Sequence, residues 1–266
     1  MEKGINLFCY TGKDKIDASR QIELMAENGF GHTFVMADNP QLTDGLVDKV
    51  KRAGIVFDTL HMPFEGINNI WKDGIDTDAT MKRLLAGIDA CANYCIPIAV
   101  MHLSSGRPAP RISDAGHRNL DKLMEYARRK NVTIAYENQR FLANLASVME
   151  DYPDAGFCWD IGHEGCFANG MKYMPLFGKR LSTVHIHDNH YMKDEDEHLV
   201  PFDGIINFEE TARLLAKFGF LGTVMLEVFT SESRIYDDFS AEEYYRHAGQ
   251  AAQKLADLIE KKRADI

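Results

Sequence analysis

Short runs rich in β-branched and aromatic residues alternate along this chain with longer stretches whose apolar positions recur every three or four residues. The short runs are Ile5–Tyr10, His32–Ala37, Val56–His61, Ile98–Leu103, Val132–Glu137, Gly156–Asp160, Ser182–His187 and Thr223–Phe229, and each is read as a strand. Between them lie amphipathic helical segments: Ala18–Asn28, Gln41–Arg52, Asp78–Tyr94, Asp114–Arg129 and Phe208–Lys217. Leu142–Asp151 and the stretch Met171–Phe177 are shorter helical candidates, and Ala241–Lys262 is a long closing helix. Four helices end on one signal, a Gly or Asn followed by a strand, at Gly29, Gly54, Asn131 and Gly219. Eight β–α pairs with no Pro/Gly/Ser-rich boundary predict an α/β fold, a closed parallel (β/α)8 barrel forming one domain over 1–266.

Composition agrees with that pattern and narrows the function. Hydrophobic residues make up 45% of the chain, enough for a large core. Thirty Lys+Arg against 40 Asp+Glu leave a net charge of -10, which disfavours a polyphosphate backbone and makes nucleic acid an unexpected partner. The five cysteines contain no C-x-x-C pair, and their odd number does not suggest a disulfide framework. Cys91 and Cys95 have a spacing that could share a metal, but they are read as small core residues. Neither a signal peptide nor a membrane span is legible, so the expected location is the cytoplasm.

Chemistry in such a barrel sits at the C-terminal ends of the strands. Of ten histidines, seven fall at strand ends or just beyond: His61, His102, His163, His185, His187, His190 and His198. His32 starts a strand at the opposite face, and His117 and His247 fall in helices. Three carboxylates, Glu137, Asp160 and Glu227, lie within or at the ends of strands that contain no Lys or Arg. A carboxylate in an apolar strand is costly unless its charge is compensated. One alone would suggest a buried ion pair; three converging with imidazoles call for a divalent cation. This donor set suits Mn, Co, Zn, Fe or Mg. His185 and His187, two apart, face one side of their strand, while Asp160 and His163 are close enough to serve one site. Asp196 and His198 form a further pair in the acidic loop that follows.

In order along the chain stand His61-Met62-Pro63-Phe64, Met101-His102-Leu103, Glu137-Asn138, Asp160-Ile161-Gly162-His163, Val184-His185-Ile186-His187-Asp188, His198-Leu199-Val200-Pro201 with Gly204 beyond it, and Leu226-Glu227. Through these motifs the sequence resembles the xylose isomerase-like TIM barrel superfamily, in particular its sugar phosphate isomerase/epimerase group. The resemblance implies one divalent metal ion (Mn, Co, Mg or Zn) held by Glu137, Asp160, His185 and Glu227. It also implies a substrate pocket that includes His163, with His61, His102 and His198 as further pocket residues or ligands of additional metals. The implied reaction is isomerisation or epimerisation of a small sugar through an enediolate, with Glu137 and Glu227 as the proton-transferring pair. Epimerases of free ketoses often carry an Arg soon after the strand-seven His; here Asn189–Asp196 contains none, so the substrate does not carry over. Arg107, Arg111 and Arg140 follow strands four and five and are candidates to hold a substrate phosphate or carboxylate, Arg140 foremost. Phe8, Phe64 and Trp71 are candidate apolar walls.

The same superfamily includes zinc-dependent apurinic endonucleases, and His61, His102, Glu137, Asp160, His163, His185, Asp196, His198 and Glu227 match all nine ligands of their three-zinc pattern. A phosphodiester hydrolase with up to three Zn is therefore the second expectation, weighed against the acidic charge. Lyase or dehydratase chemistry on polyols and keto acids, and a metal-free sugar-binding barrel, complete the alternatives. A small-molecule sugar is the expected partner, and a homo-oligomer is compatible with the sequence.

Overall fold

The computed structural model describes residues 1–168 and 170–266. Eight strands run in the order β1 (Lys3–Asn6), β2 (His32–Met36), β3 (Val56–His61), β4 (Ile98–Met101), β5 (Thr133–Glu137), β6 (Gly156–Asp160), β7 (Leu181–His185) and β8 (Val224–Leu226). The first half of the chain supplies helices α1 (Ala18–Glu27), α2 (Asp44–Arg52), α3 (Ile75–Tyr94) and α4 (Asp114–Lys130). The second half supplies α5 (Leu142–Asp151), the short α6 (Ile161–Cys166) and α7 (Met174–Phe177), then α8 (Phe208–Lys217) and the long α9 (Ala241–Ala264). Neighbouring strands pair in parallel from β7 back through β1 to β8. Closure comes from two bonds just past the ladder ends: Ile186 N donates to Met225 O at 2.9 Å, and Glu227 N to Ile186 O at 3.0 Å. The chain is thus a (β/α)8 TIM barrel.

Helix signals read in the sequence are realised with their chemistry. In α4, Ser113 caps the first turn by accepting from Gly116 N, and buried Gly116, Leu120, Leu123 and Ala127 recur at helical spacing toward the barrel. Ser240 and Glu243 form a reciprocal capping box on α9. Gly29, Gly54, Asn131 and Gly219 all take positive φ behind their helices. Cys95 does the same at φ 57, ending α3. It is exposed, so only Cys91 of that pair is the core residue expected, and neither shares a candidate metal group with the other.

Several strands are shorter than their apolar runs. β1 stops at Asn6, where Phe8 turns to φ 69, yet Leu7, Cys9 and Tyr10 remain buried. β4 ends at Met101, β7 at His185 and β8 at Leu226, although Leu103, Ile186, His187 and Val228 are also buried. Burial alone selects apolar side chains; ladder pairing ends where the chain bends over the barrel mouth. Inside the barrel, fully buried Val100, Ala135 and Cys158 form a small apolar cluster on β4, β5 and β6, the strands that deliver Glu137 and Asp160.

Candidate metal centre

The ends of β5, β6 and β7 and the residue after β8 deliver Glu137, Asp160, His185 and Glu227 to one point, each with a donor atom within 4.8 Å of the others. Ligands on opposite sides of a divalent cation stand about 4 Å apart, so this group can close around an ion with small side-chain shifts. His185 presents Nδ1 at 3.1 Å from Glu137 Oε1 and 3.1 Å from Glu227 Oε2. Asp160 divides its carboxylate: Oδ1 accepts from His163 N at 2.6 Å, capping α6, while Oδ2 is buried with no hydrogen-bond partner. An orphaned, fully buried carboxylate oxygen facing three further donors suits a cation.

Two more groups surround the first. His61, His102 and Glu137 converge on one side; His102 Nε2 lies 2.6 Å and His61 Nε2 3.3 Å from Glu137 Oε2. On the other side His163, His187, Asp196 and His198 come together, with Asp196 Oδ2 at 2.9 Å from His163 Nε2 and 3.3 Å from His198 Nε2. The alternative of buried pairing with Lys or Arg finds no support: every ion-pair partner of Glu137, Asp160, Asp196 and Glu227 among the described residues is a histidine.

Electrostatics follow from this mixture. Burial on its own would raise Glu137, but His102 and His185 outweigh it and hold the carboxyl well below its ordinary range. Asp196 is likewise depressed by His163 and His198 against the effect of burial, and Glu227 by His185. Asp160 is raised, because burial outweighs its two imidazoles. Burial disfavours charge on the imidazoles too, yet nearby carboxylates raise His163 well above the usual value and His198 to about 9, and Cys158 with Glu227 and Glu137 raises His185 well above it. His102 goes the other way, lowered by burial despite Glu137, so without a metal the protons that compensate the carboxylates sit on His163, His185 and His198.

The sequence expectations divide cleanly. Six of the seven rim histidines meet at the centre; His190 does not, being exposed and paired with Glu197. His163 approaches Asp160 but groups with His187, Asp196 and His198. Neither Arg107 nor Arg111 lines the cavity: Arg107 is forked onto Asp194, and Arg111 is exposed. Arg140 does line that cavity, which holds about 500 Å³ above the carboxylates and includes His61, His102, His163 and His198. Phe64 forms part of its wall, but Trp71 is buried elsewhere, donating Nε1 to Leu103 O at 2.6 Å, and Phe8 is not a lining residue.

Supporting residues escaped the sequence reading. Gln139 Nε2 stands 3.1 Å from His102 Nε2 and 3.0 Å from His163 Nδ1, linking two groups. Asn138 clasps the end of β6, donating to Asp160 O at 2.8 Å and accepting from Asp160 N at 2.9 Å. Buried Asp188 accepts from the backbone N–H of Asn189, Phe202, Gly204 and Ile206, folding the loop that carries Asp196 and His198. A run of polar residues directly after a strand carboxylate was the available signal for Asn138 and Gln139. Nothing local marks the four donors of Asp188.

Comparison with known proteins agrees with this architecture. The family model described as "Xylose isomerase-like TIM barrel" matches residues 20–262. The uncharacterized protein y4fM of Sinorhizobium fredii is 28% identical over 151 residues, 53% of this chain and 47% of its own length, so the chain matches about half of that relative. An L-ribulose 3-epimerase structure superposes with TM-score 0.78 at 16% identity, covering 100% of this chain and 97% of that one. The IOLI protein, solved with a binding zinc atom, superposes with TM-score 0.75 at 18% identity over 98% and 99% of the two chains. At such identities the superpositions speak for the fold alone, while the family match spans most of the sequence. With strands, rim and matched residues in agreement, the chain belongs to the xylose isomerase-like TIM barrel family.

Proposed function

We propose that this protein is a divalent-metal-dependent isomerase or epimerase of a small sugar or sugar derivative. The observation that carries the reading is the convergence of Glu137, Asp160, His185 and Glu227 beneath a cavity of about 500 Å³. Their mixed oxygen and nitrogen donors fit Mn, Co, Mg or Zn, and Asp160 Oδ2, buried without a hydrogen-bond partner, is free to ligate. When bound, such a cation polarises a substrate carbonyl and its neighbouring hydroxyl and so acidifies the C–H between them. Glu137 and Glu227 approach from β5 and from beyond β8, and one removes that proton while the other returns it. Return to the same carbon epimerises; return to the neighbouring carbon isomerises. Both carboxyls are held below their ordinary range and so are ionised. Phe64 and Phe229 wall the cavity against water, and His102, bonded to Gln139, presents a ring to sugar hydroxyls. The structural neighbours include an L-ribulose 3-epimerase, which supports the same reaction class.

The test is incubation of metal-loaded protein with ketoses and aldoses in deuterated water. Deuterium entering carbon at an epimerised or isomerised position supports the reading; a full panel with neither exchange nor new sugar removes it.

One observation favours a second reading. The two flanking groups, His61 with His102 and Glu137, and His163 with His187, Asp196 and His198, are also compact enough for cations. A three-zinc phosphodiester hydrolase needs such an arrangement. The net charge of -10 opposes a DNA groove, and cleavage of an abasic duplex by zinc-loaded protein would overrule that objection.

A further inference from the structure

The geometry points to an anion subsite at the rim, built on Arg140, so that the substrate class of the proposed sugar site is a sugar carrying a carboxylate or phosphate group. This inference rests on the isomerase reading for its sugar and on Arg140 for its anion.

Among the residues lining the cavity, Arg140 is the one Lys or Arg. Its guanidinium is fixed on two sides. Nε donates to Asp194 Oδ1 at 3.2 Å, and Cζ lies 3.5 Å from the centroid of the Phe167 ring. Phe167 is buried and itself stacks on His163 with ring centroids 4.8 Å apart. The terminal nitrogens, Nη1 and Nη2, make no hydrogen bond with any described residue. Only 18% of the Arg140 side chain is exposed, so these two donors are presented by a held plane and not by a mobile surface arginine.

That arrangement answers the usual objection to a lone arginine, that its salt bridge consumes it. Asp194 serves two guanidinium groups, taking Nε and Nη2 of Arg107 as well as Nε of Arg140, which leaves the trio one positive charge. The side-on bond to Nε keeps the end-on fork of Arg140 open, and that fork matches two oxygens of a carboxylate or phosphate. Arg140 and His163 both pack on the Phe167 ring, and all three line the cavity. A bound divalent cation offsets two of the buried carboxylate charges that would otherwise repel an anion.

Equilibrium binding to metal-loaded protein tests this, with D-fructose, D-fructose 6-phosphate, D-gluconate and inorganic phosphate as probes in calorimetry. At least one of the two charged sugar derivatives is expected to bind roughly tenfold tighter than D-fructose, and Arg140→Met to reduce that advantage to within about twofold. Metal content and the thermal melt of the variant, unchanged from the parent, establish that it folds. Preference for D-fructose 6-phosphate assigns a phosphorylated sugar; preference for D-gluconate assigns a sugar acid. Equal binding of charged and neutral probes, an advantage that survives in Arg140→Met, or no binding of any probe overturns the subsite. Because the readout is binding, an Arg140-dependent preference without turnover of any sugar would keep the subsite and remove the isomerase reading. Turnover of neutral sugars with no charge preference would do the reverse.

Discussion

Glu137 is the residue on which the centre turns: His61, His102, His163 and His185 all stand within 3.6 Å of its carboxylate. Glu137→Gln and Glu227→Gln keep the shape and remove the bases, and each should lower turnover by at least about 10²-fold. Steady-state rates on the best sugar of the panel check this; retention within about tenfold in both variants would refute the proton-transfer pair. The imidazoles bring a pH dependence of definite sign. In metal-free protein His198 titrates at about 9, raised by Asp196 against burial, so its contribution to stability is fully present below about 6.5 and is lost as pH rises through about 9. A cation bound by His163, His187, Asp196 and His198 would remove that dependence, whereas one held by Glu137, Asp160, His185 and Glu227 alone would leave it. Thermal melts from pH 6.5 to 9.5 should therefore decline in chelator-treated protein, and decline in parallel after one equivalent of metal is restored. A curve that levels off at one equivalent would show that the first cation goes to His198. At this scale the sequence was highly legible, because carboxylates in apolar strands lacking Lys or Arg stand out in a bare string. Asn138, Gln139 and Asp188 did not, since their roles are fixed by partners far away in the chain.

Among the elements, the connection from β7 to α8 does the most positioning. It brings Asp196 and His198 over the rim and contains four non-glycine residues at positive φ: Tyr191, Asp194, His198 and Phe202. A loop so bent needs a fixed anchor, and Asp188 provides it through its four backbone bonds. Asp188→Ala strands those donors and should destabilise the protein by about 2–4 kcal/mol in denaturant unfolding, with lower metal content. A change below about 0.5 kcal/mol would show that the loop holds itself. On the facing side, a Cβ on Gly162 would stand 1.8 Å from His187 Cε1, a fully buried ring. Gly162→Ala should displace His187 and lower metal content more than stability predicts from its volume alone; metal content equal to the parent would contradict it. Phe208–Lys217 and Leu142–Asp151 were legible to the residue, because their apolar period marks their extent, whereas α2, α3 and α7 begin three residues from where they were read and the short α6 was not read as a helix. Strand ends were overrun at β1, β4, β7 and β8, where buried apolar residues continue past the ladder.

Across the whole molecule, alternating strands and helices were enough to read the barrel and the face that bears its chemistry. A closed barrel was the expectation, but the contacts that close it were not legible, since they depend on Ile186 meeting Met225 and Glu227 at and beyond the ends of β7 and β8. Nor was the fate of the arginines, where one loop aspartate occupies Arg107 fully and Arg140 only in part. No helix among the described residues is long and apolar enough to cross a membrane. The acidic surface favours a small ligand over a polyanion, consistent with a cavity enclosed by the barrel rim. Everything proposed for this cavity presupposes a cation among Glu137, Asp160, His185 and Glu227. The most direct test is the metal content per chain by mass spectrometry of protein purified without chelators, for the parent and for Asp160→Asn with Glu227→Gln. At least one equivalent of Mn, Co, Mg or Zn in the parent and its loss in the double variant is the expected result. A folded parent that holds no metal, and takes none up when Mn, Co, Mg and Zn are supplied, would contradict the account.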